Sequence, residues 1–307
     1  MGKILVIGVT CVDVVINVNR LPQTAEDVVA SGQDMTLGGC AFNAFSIMYA
    51  LGEPAILFSP IGDGMYGDFV RAHLAAEGIS SPIPDAPGEN GCCYCLVEPG
   101  GERTFIALHG ADYVYRPEWF ERIDSAEVDM VYVCGLEVEE PTGLVIVDFL
   151  ERCCAGKTIV FTPGPRPAAL PDDLLERIYG LHPIVHLNDT EARTMAGRIA
   201  GRDVADVSEA ASILFERTDA AVIVTLGDEG CWYRTDSRQG VAPGVKAKVV
   251  DTIGAGDSHI GAVMACLHRG DALEDALACS NRVAAAVVST AGAHMDAEDV
   301  RAAARAH

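Results

Sequence analysis

Short apolar runs rich in β-branched residues recur along the chain, and segments with helical periodicity separate most of them. The runs predict buried strands and read KILVIGV, AILFSPIG, DMVYVCG, TIVFTPG, PIVHLN and AAVIVTLG. Helices are predicted at 66–77 and near 141–155, 171–179 and 204–216. This alternation predicts an α/β fold, a three-layer and mainly parallel sheet with helices on both faces. Ligands of such sheets bind at the carboxyl ends of the strands.

Two stretches interrupt this rhythm. Residues 12–36 contain VVINVNRLP and a polar link, and residues 92–110 begin with two strand patterns around a Pro-Gly-Gly turn. Both predict antiparallel additions to the main sheet. We expect them to form a small β-sheet lid from about 12–36 and 92–110. No repeat or low-complexity linker divides the chain, so we expect residues 1–307 to form one domain.

The charge balance restricts the class of partner. The chain of 307 residues has 22 basic and 44 acidic side chains, a net charge of −22, and half of its residues are hydrophobic. So acidic a surface argues against nucleic acid or an anionic membrane as the main partner. An anionic ligand would need backbone amides, a metal ion or a few local cations to offset this field. The acidity can also serve solubility alone.

Cysteine usage and the chain start suggest a compartment. MGKILVIGVT lacks the layout of a signal peptide, and no apolar run approaches a membrane span in length. The eleven cysteines are scattered, without paired metal-ligand spacing, and seven of the eight histidines show no metal-like spacing either. We therefore expect reduced thiols in a cytoplasmic protein.

The segment DTIGAGDSHIGA, residues 251–262, predicts a turn that becomes a helix. The apolar positions that follow have helical spacing, and Gly270 is a stop signal. Gly254, Ala255 and Gly256 therefore lie at a helix N-terminus, where free N–H groups and the helix dipole attract an anion. A carboxylate beside such an anion site can take a proton from an attacking hydroxyl, which makes Asp257 a candidate general base. The combination indicates phosphoryl transfer. Alternatively, Asp257 is a favourable acid in a first turn.

The order of several motifs resembles the ribokinase-like (PfkB) carbohydrate kinase family. DTIGAGD is similar to its D-T-x-G-A-G-D signature, and LGGCAFNAFSIMYALG (37–52) to its G-G-x-x-x-N segment. IGDGMYGD (61–68), LNDTEA (187–192) and VTLGDEG (224–230) resemble three further landmarks in the family order. The resemblance covers nearly the whole chain. It departs at His259, where the family usually has an aromatic residue and where we expect a packed or hydrogen-bonded side chain.

The resemblance implies a sugar site near the N-terminus. It makes Asp257 the catalytic base and Gly254, Ala255 and Gly256 its anion hole. Asp13, which we place at the end of the first strand, would hold sugar hydroxyls, because a carboxylate can accept two such hydrogen bonds. The sugar site would be completed by Gly38, Gly39 and Asn43. For Asn43 a polar contact at a helix N-terminus is the alternative.

The resemblance also implies a nucleotide side. Asn188 and Glu191 would organise magnesium through water, although NDTEA is also a good helix-capping sequence. Thr225 and Gly227 would approach the nucleotide, and Asn281 its adenine. The sequence has no P-loop motif and no Rossmann glycine fingerprint after the first strand, which excludes those two nucleotide sites.

A monovalent cation is a further implication of the resemblance. Asp251, Ile253 and the loop STAGAHMD (289–296), including Gly292, resemble the loops where many relatives bind potassium. Carbonyl oxygens and one carboxylate suit a large monovalent ion. Alternatively, Asp251 only stabilises its loop.

The expected reaction is ATP- and magnesium-dependent phosphorylation of a hydroxyl group on a sugar. Arg103 is the obvious cation on the sugar side, and the scarcity of others favours a neutral acceptor. Glu137 is a further candidate sugar contact, with a solvated acidic loop as the alternative. A nucleoside kinase and a catalytically silent sugar- or nucleotide-binding sensor remain as other functions. We expect a homodimer through the lid, because exposed sheet edges seek partners.

Overall fold

The computed structural model describes residues 2–290, 292 and 294–306. Within these residues the chain forms twelve strands and eleven helices, besides short 3₁₀ turns. The strands are β1 Lys3–Ile7, β2 Cys11–Asn17, β3 Gly32–Gly38, β4 Ala55–Phe58, β5 Cys92–Val97, β6 Arg103–Leu108, β7 Val128–Cys134, β8 Thr158–Thr162, β9 Ile184–Asn188, β10 Val222–Thr225, β11 Gly230–Arg234 and β12 Gln239–Pro243. The helices are α1 Cys40–Ala50, α2 Gly64–Ala76, α3 Pro117–Phe120, α4 Gly135–Glu139, α5 Gly143–Cys153, α6 Asp172–Tyr179, α7 Asp189–Ala200, α8 Val207–Thr218, α9 Ala255–Arg269, α10 Leu273–Val287 and α11 Ala297–Arg305.

The large sheet has eight strands in the order β12-β11-β10-β9-β8-β7-β1-β4. The six strands from β10 to β4 are parallel and correspond to the six predicted apolar runs. Strands β11 and β12 add an antiparallel edge that the sequence analysis did not predict. The α/β prediction of a mainly parallel sheet is confirmed.

The sheet buries side chains on both faces. Along β1, Leu5 and Ile7 pack in one hydrophobic cluster, with α5 to α8, while Ile4 and Val6 pack in another, with α1, α2 and α9. All four side chains are fully buried. Because successive strand residues point to opposite faces, a continuous apolar run is what a sheet covered on both sides requires.

A second, smaller sheet has the order β3-β2-β5-β6. It is built from the two stretches that interrupt the α/β rhythm, and the hairpin β5–β6 turns at Pro99–Gly101, with Gly101 at a φ of 82°. The prediction of purely antiparallel additions is wrong in one respect, since β2 and β5 are parallel. These two strands come from separate parts of the chain, and β3, α1, β4 and α2 lie between them in the sequence.

Helix α9 begins where the sequence predicts. Gly254 caps it at a φ of 70°, a left-handed conformation that favours glycine, and Gly270 ends it at a φ of 91°. At Gly261 a Cβ atom would lie 2.5 Å from the Ala44 carbonyl oxygen of α1. The absence of a side chain there lets α9 and α1 pack closely, which sets Asp257 near the start of α1.

Candidate active site

A cleft of about 1060 Å³ lies between the small sheet and the N-terminus of α9. The small sheet contributes residues of β2, β5 and β6, and the segment 249–257 forms the opposite wall. The cleft-lining residues that the sequence analysis proposed are Asp13, Gly39, Asn43, Arg103, Asn188, Asp251, Ile253, Gly254, Ala255, Gly256 and Asp257. The fold thus brings together side chains that are more than 200 positions apart in the sequence.

Asp257 lies in the first turn of α9 and is half-buried. Burial raises the pKa of its carboxyl group to about 6, and hydrogen bonds from Asn43 and Cys40 act in the opposite direction. Apart from its chain neighbours and the nearby backbone of α9, no described atom lies within 4 Å of the position that a Cβ of Gly256 would occupy, so the turn before Asp257 is open. Gly254, Ala255, Gly256 and Asp257 all line the cleft, so the start of the helix and a carboxylate with a raised pKa face the same space, although Ala255 N donates to the Thr252 carbonyl at 3.4 Å.

Asn43 of α1 lines the same cleft and contacts this carboxylate. Its side chain is buried, and its Nδ2 donates a hydrogen bond to Asp257 Oδ2 at 2.9 Å. Its Oδ1 is buried and has no partner among the described residues. A buried acceptor of this kind requires a donor, and a substrate hydroxyl group in the cleft would supply one.

Asp13 lies within β2, so its predicted place at the end of the first strand is wrong. The first strand ends at Ile7, and the chain then enters the small sheet, which carries Asp13 over the cleft. A Cβ at Gly38 would lie 2.2 Å from Asp13 Oδ2, so this glycine makes room for the carboxylate. Burial, and then the charge of Asp257, raise the pKa of Asp13 to about 6, while Arg103 lowers it.

The pH dependence of catalysis should reflect these two raised pKa values. A general base works in its ionised form, so kcat/KM for the acceptor should decrease as the pH falls below about 6. Steady-state rates between about pH 4.5 and 8.5 cover this limb, and the residual activity of an Asp257→Asn variant is the control for ionisation of the nucleotide. A limb centred near pH 4, the ordinary range of an aspartate, would contradict the predicted effect of burial.

Glu137 is fully buried, and the alternative of a solvated acidic loop is wrong. It lies in α4, directly after β7, and its Oε1 accepts a hydrogen bond from the Val9 amide at 2.7 Å. Burial raises its pKa to about 8. A Cβ at Gly39 would lie 2.5 Å from the carbonyl oxygen of the same Val9, so Glu137 holds the backbone against which the Gly39 turn packs.

Arg103 lines the cleft as expected, but it is not a free cation. Its Nη2 lies 2.7 Å from Asp251 Oδ2, and the two side chains are only 13% and 6% exposed. Arg166 is a cleft-lining cation that the sequence analysis missed. It follows β8 in the stretch TPGPRP, and a basic residue just after a strand end was the available signal. Its Nε donates to both carboxylate oxygens of Glu139 at 3.0 Å.

A second cavity of about 490 Å³ shares Pro165, Arg166 and Asn188 with the cleft and is also lined by Glu191. Asn188 and Glu191 form a capping box at the start of α7: Glu191 N donates to Asn188 Oδ1, and Asn188 N donates to Glu191 Oε2. The capping alternative is therefore confirmed. Burial raises the pKa of Glu191 to about 7. A carboxylate beside an open cavity fits magnesium held through water, and the cap leaves Glu191 Oε1 for that purpose.

The other nucleotide-side candidates differ in their surroundings. Thr225 ends β10 directly beside Asn188 of β9, and its hydroxyl donates to the Leu187 carbonyl at 3.4 Å. Gly227 follows it at a φ of 63° in an exposed turn. Asn281 is buried, and its Nδ2 donates to the carbonyl oxygens of Ala242 and Pro243 at 3.2 and 3.0 Å. These bonds give Asn281 a structural role, and its expected contact with adenine stays a prediction.

His259 is buried in a chain of hydrogen bonds, as expected for a packed residue. Its Nε2 lies 3.2 Å from Asn281 Oδ1, and its Nδ1 lies 3.0 Å from His186 Nε2. Because Asn281 already uses Nδ2 as a donor to two carbonyls, its Oδ1 accepts the proton of His259 Nε2. His259 Nδ1 then accepts from His186 Nε2, so both rings are neutral. Burial lowers the pKa of His259 to about 4 and that of His186 well below its usual value.

Stability should therefore decrease in acid through His259. The unfolded chain binds a proton near pH 6.5 and the folded chain only near pH 4, so this loss develops between these values and approaches roughly 3 kcal/mol. A His259→Phe variant should be less stable than the wild type near neutral pH, because Asn281 Oδ1 loses its hydrogen-bond donor. This deficit in unfolding free energy should shrink as the pH falls, since the wild type loses stability there. Urea unfolding across this range measures the difference. A deficit that does not change with pH would mean that His259 has the same pKa in the folded and the unfolded chain.

The potassium prediction does not fit the Asp251 carboxylate. Its Oδ1 accepts from Ile253 N at 2.8 Å, and its Oδ2 accepts from Gly292 N at 2.7 Å and pairs with Arg103. All of these partners are protein donors. Of the 289–296 loop, Ala291 and Ala293 lie outside the described residues.

Over residues 2–290, 292 and 294–306, no helix is long and apolar enough to cross a membrane. The same residues contain no group of three or more His, Cys, Asp or Glu side chains that could hold a metal ion. All eleven cysteines lie in the described part of the chain and are free thiols.

Comparison with known proteins identifies the family. Residues 1–299 match the family described as pfkB family carbohydrate kinase. The chain belongs to the pfkB family. It is 37% identical over 290 residues to YegV of Escherichia coli K12, an uncharacterized sugar kinase, covering 94% of this chain and 89% of YegV. It is 28% identical over 298 residues to the mouse ribokinase, covering 95% and 90% of the two chains.

A solved structure supports the same assignment at the level of the fold. The ribokinase of Thermotoga maritima superposes with a TM-score of 0.86 at 23% identity and covers 99% of both chains. The pfkB-family kinase described here therefore has the ribokinase-like fold. It is a phosphotransferase with an alcohol group as acceptor, a sugar kinase of the ribokinase family. The family resemblance in the sequence motifs is confirmed.

Proposed function

We propose that this kinase transfers the γ-phosphoryl group of ATP to a hydroxyl group of a neutral sugar, with Asp257 as the general base. The observation that carries the proposal is the position of Asp257 between the open turn at Gly256 and Asn43, in the cleft that Asp13 covers. A hydroxyl group held by Asp13 and Asn43 lies within reach of this carboxylate, and the turn offers N–H groups to the phosphoryl oxygens.

The proposed steps use this chain's residues as follows. Asp13 accepts hydrogen bonds from sugar hydroxyl groups, and Asn43 Oδ1 accepts another. Asp257 removes the proton of the attacking hydroxyl, which its pKa of about 6 allows at neutral pH. The backbone amides of 254–256 stabilise charge on the transferred group. The small sheet acts as a lid that excludes water from the cleft.

The second cavity is the proposed place of the nucleotide phosphates. Asn188 and Arg166 line both cavities and therefore lie where the two substrates meet. Glu191 would hold magnesium through water, and magnesium would neutralise phosphate charge when bound. Thr225 and Gly227 lie at the neighbouring strand end and are proposed to contact the nucleotide.

A neutral acceptor follows from the charges of the cleft. Among the described residues, two cations line it, and both are paired, Arg103 with Asp251 and Arg166 with Glu139. Asp13 and Asp257 add negative charge. A sugar phosphate or sugar acid would meet this charge without an unpaired cation to balance it.

One observation supports a nucleoside as the second candidate acceptor. Phe105 of β6 lines the cleft although its side chain is 55% exposed, and an aromatic ring in this position could stack on a base. A silent sensor is the third candidate. The intact base and anion turn argue against it.

A panel of acceptors tests these alternatives. Neutral aldoses, ketoses, nucleosides, sugar acids and sugar phosphates are each incubated with ATP and magnesium, and ADP formation is followed. Turnover with a neutral sugar supports the proposal, and preference for a nucleoside supports the second candidate. Turnover confined to anionic acceptors would contradict the charge argument. Binding without turnover of any acceptor would support the third candidate, a catalytically silent sensor.

We further propose a homodimer through the small sheet. Its edge strand β6 exposes Ile106 and Leu108 by 57% and 55%, on the face opposite the cleft-lining Phe105 and Ala107. An apolar, unpaired edge is a pairing surface. The predicted location is a reducing compartment such as the cytoplasm, which suits eleven free thiols.

The dimer should dissociate when charge is placed on this edge. Ile106→Lys is expected to convert the dimer to a monomer at micromolar concentration, as measured by light scattering. An exposed Val245→Lys exchange, in the segment between β12 and α9, is the control. A wild-type protein that is already monomeric would contradict the proposal.

A further inference from the structure

One ion pair, between Arg103 and Asp251, joins the two walls of the cleft. We propose that Arg103 is the permanent cation partner of the Asp251 carboxylate and stands where a potassium ion would otherwise bind. The ion pair, which we call the latch, holds the small sheet against the loop that precedes the anion-binding turn, residues 254–256. Arg103 is then a positioning residue that acts through Asp251. The inference rests on the proposed function in one respect, since it assumes that the small sheet closes over the cleft.

The two residues come from opposite walls. Arg103 is the first residue of β6, just after the Pro99–Gly101 turn, whereas Asp251 lies in the link between β12 and α9. The 2.7 Å pair is nearly inaccessible to solvent, with side-chain exposures of 13% and 6%. Most of the chain's other ion pairs involve side chains that are far more exposed. In a buried pair, removal of one partner leaves an uncompensated charge, so breaking the contact is costly in free energy.

Asp251 also accepts hydrogen bonds from two other segments of the chain. Its Oδ1 accepts from Ile253 N, and Gly254, the next residue, is the left-handed cap of α9. Its Oδ2 accepts from Gly292 N at 2.7 Å. One carboxylate therefore joins the small sheet, the anion-binding turn and the segment that follows α10. Its position with the cleft closed sets the position of the amides that face the phosphoryl group.

The chemistry of the carboxylate argues for the guanidinium as its permanent cation. Its single negative charge is balanced by Arg103, and both oxygens already accept from N–H donors. A potassium ion bound to Oδ2 would displace a guanidinium whose Nε is buried and has no other partner among the described residues. That exchange would leave a buried arginine without its counter-charge.

The latch predicts local order that depends on Arg103. In Arg103→Met, amide hydrogens in 249–258 should exchange about tenfold faster or more, since a broken buried pair frees the loop. Arg103→Lys, which retains the charge, should show a smaller increase. Arg238→Met is the matched control, because it removes an exposed arginine that pairs with Glu274. Exchange is followed by mass spectrometry on the full chain.

If Arg103 takes the place of potassium, the choice of salt should not affect thermal unfolding of the wild type. The midpoint of thermal unfolding of the wild type should be the same in potassium, sodium and tetramethylammonium chloride at equal ionic strength. Arg103→Met leaves the Asp251 carboxylate without its cation, so potassium should raise the unfolding midpoint of this variant more than tetramethylammonium does. If Arg103→Met fails to fold, Asp251→Asn tests the same contact, because it removes the charge and keeps an acceptor for Ile253 N.

Either of two outcomes would overturn the inference. One is a potassium-specific rise in the unfolding midpoint of the wild type. The other is unchanged exchange in 249–258 when Arg103 or Asp251 is replaced. Neither measurement uses an acceptor, so a failure of the acceptor panel and a failure of the latch can be told apart.

Discussion

Replacement of Asp257 by Asn is expected to lower kcat by about 10²- to 10⁴-fold, the usual contribution of a positioned general base. Binding of sugar and ATP should survive, because Asp13, Asn43 and the backbone amides of 254–256 remain. KM should therefore change much less than kcat, as expected for an interaction made mainly in the transition state. Steady-state kinetics with the best acceptor of the panel measures both parameters, and calorimetric titration measures binding.

The fold of this variant should be intact. The amide oxygen of the introduced asparagine can accept from Asn43 Nδ2, as Asp257 Oδ2 does in the wild type. Burial also disfavours the ionised carboxylate in the folded state, which its raised pKa records, so loss of the charge should not reduce stability. A near-wild-type rate would show that Asp257 is not the base. A variant that unfolds would show that the structural role of this aspartate is the more important one.

Replacement of Asp13 by Asn is expected to act mainly on the acceptor. A hydrogen bond to a charged group contributes about 1.5–3 kcal/mol, so weakening two hydroxyl contacts should lower kcat/KM for the acceptor by roughly 10²-fold or more. The loss should be largely in KM, whereas the KM for ATP should stay near the wild-type value. Asn fits the space that Gly38 leaves for the carboxylate, so packing is preserved.

The control for this prediction is Asp68→Asn. Asp68 lies on α2, its side chain is 78% exposed, and it pairs with Arg71 on the surface. The Asp68→Asn substitution should leave all kinetic parameters unchanged, since exposed ion pairs contribute little to stability. An Asp13→Asn enzyme with an unchanged acceptor KM would place the sugar elsewhere in the cleft. A variant that lost kcat alone would instead assign Asp13 to the chemical step.

The local pattern of the sequence was enough for the fold class and for the bounds of α9, the helix that carries Asp257. The six parallel strands are continuous apolar runs, and α9 begins and ends at the glycines that the periodicity indicated. Both signals are local, because burial on two faces and a left-handed cap are written in neighbouring residues. The edge strands β11 and β12 escaped detection, since GCWYR and QGVAP are short and carry no clear alternation.

Long-range contacts decided what the local patterns could not. A candidate for the sugar side, Arg103, proved to be the partner of Asp251, a residue far along the chain that was expected to hold potassium. Glu137 was a candidate sugar contact or a solvated acid, and it is a fully buried acceptor for Val9. The sequence alone could list the charged groups and propose the chemistry of Asp257. Which charge neutralises which depends on distance and burial, because electrostatic energy changes steeply with both, and only the tertiary structure determines them.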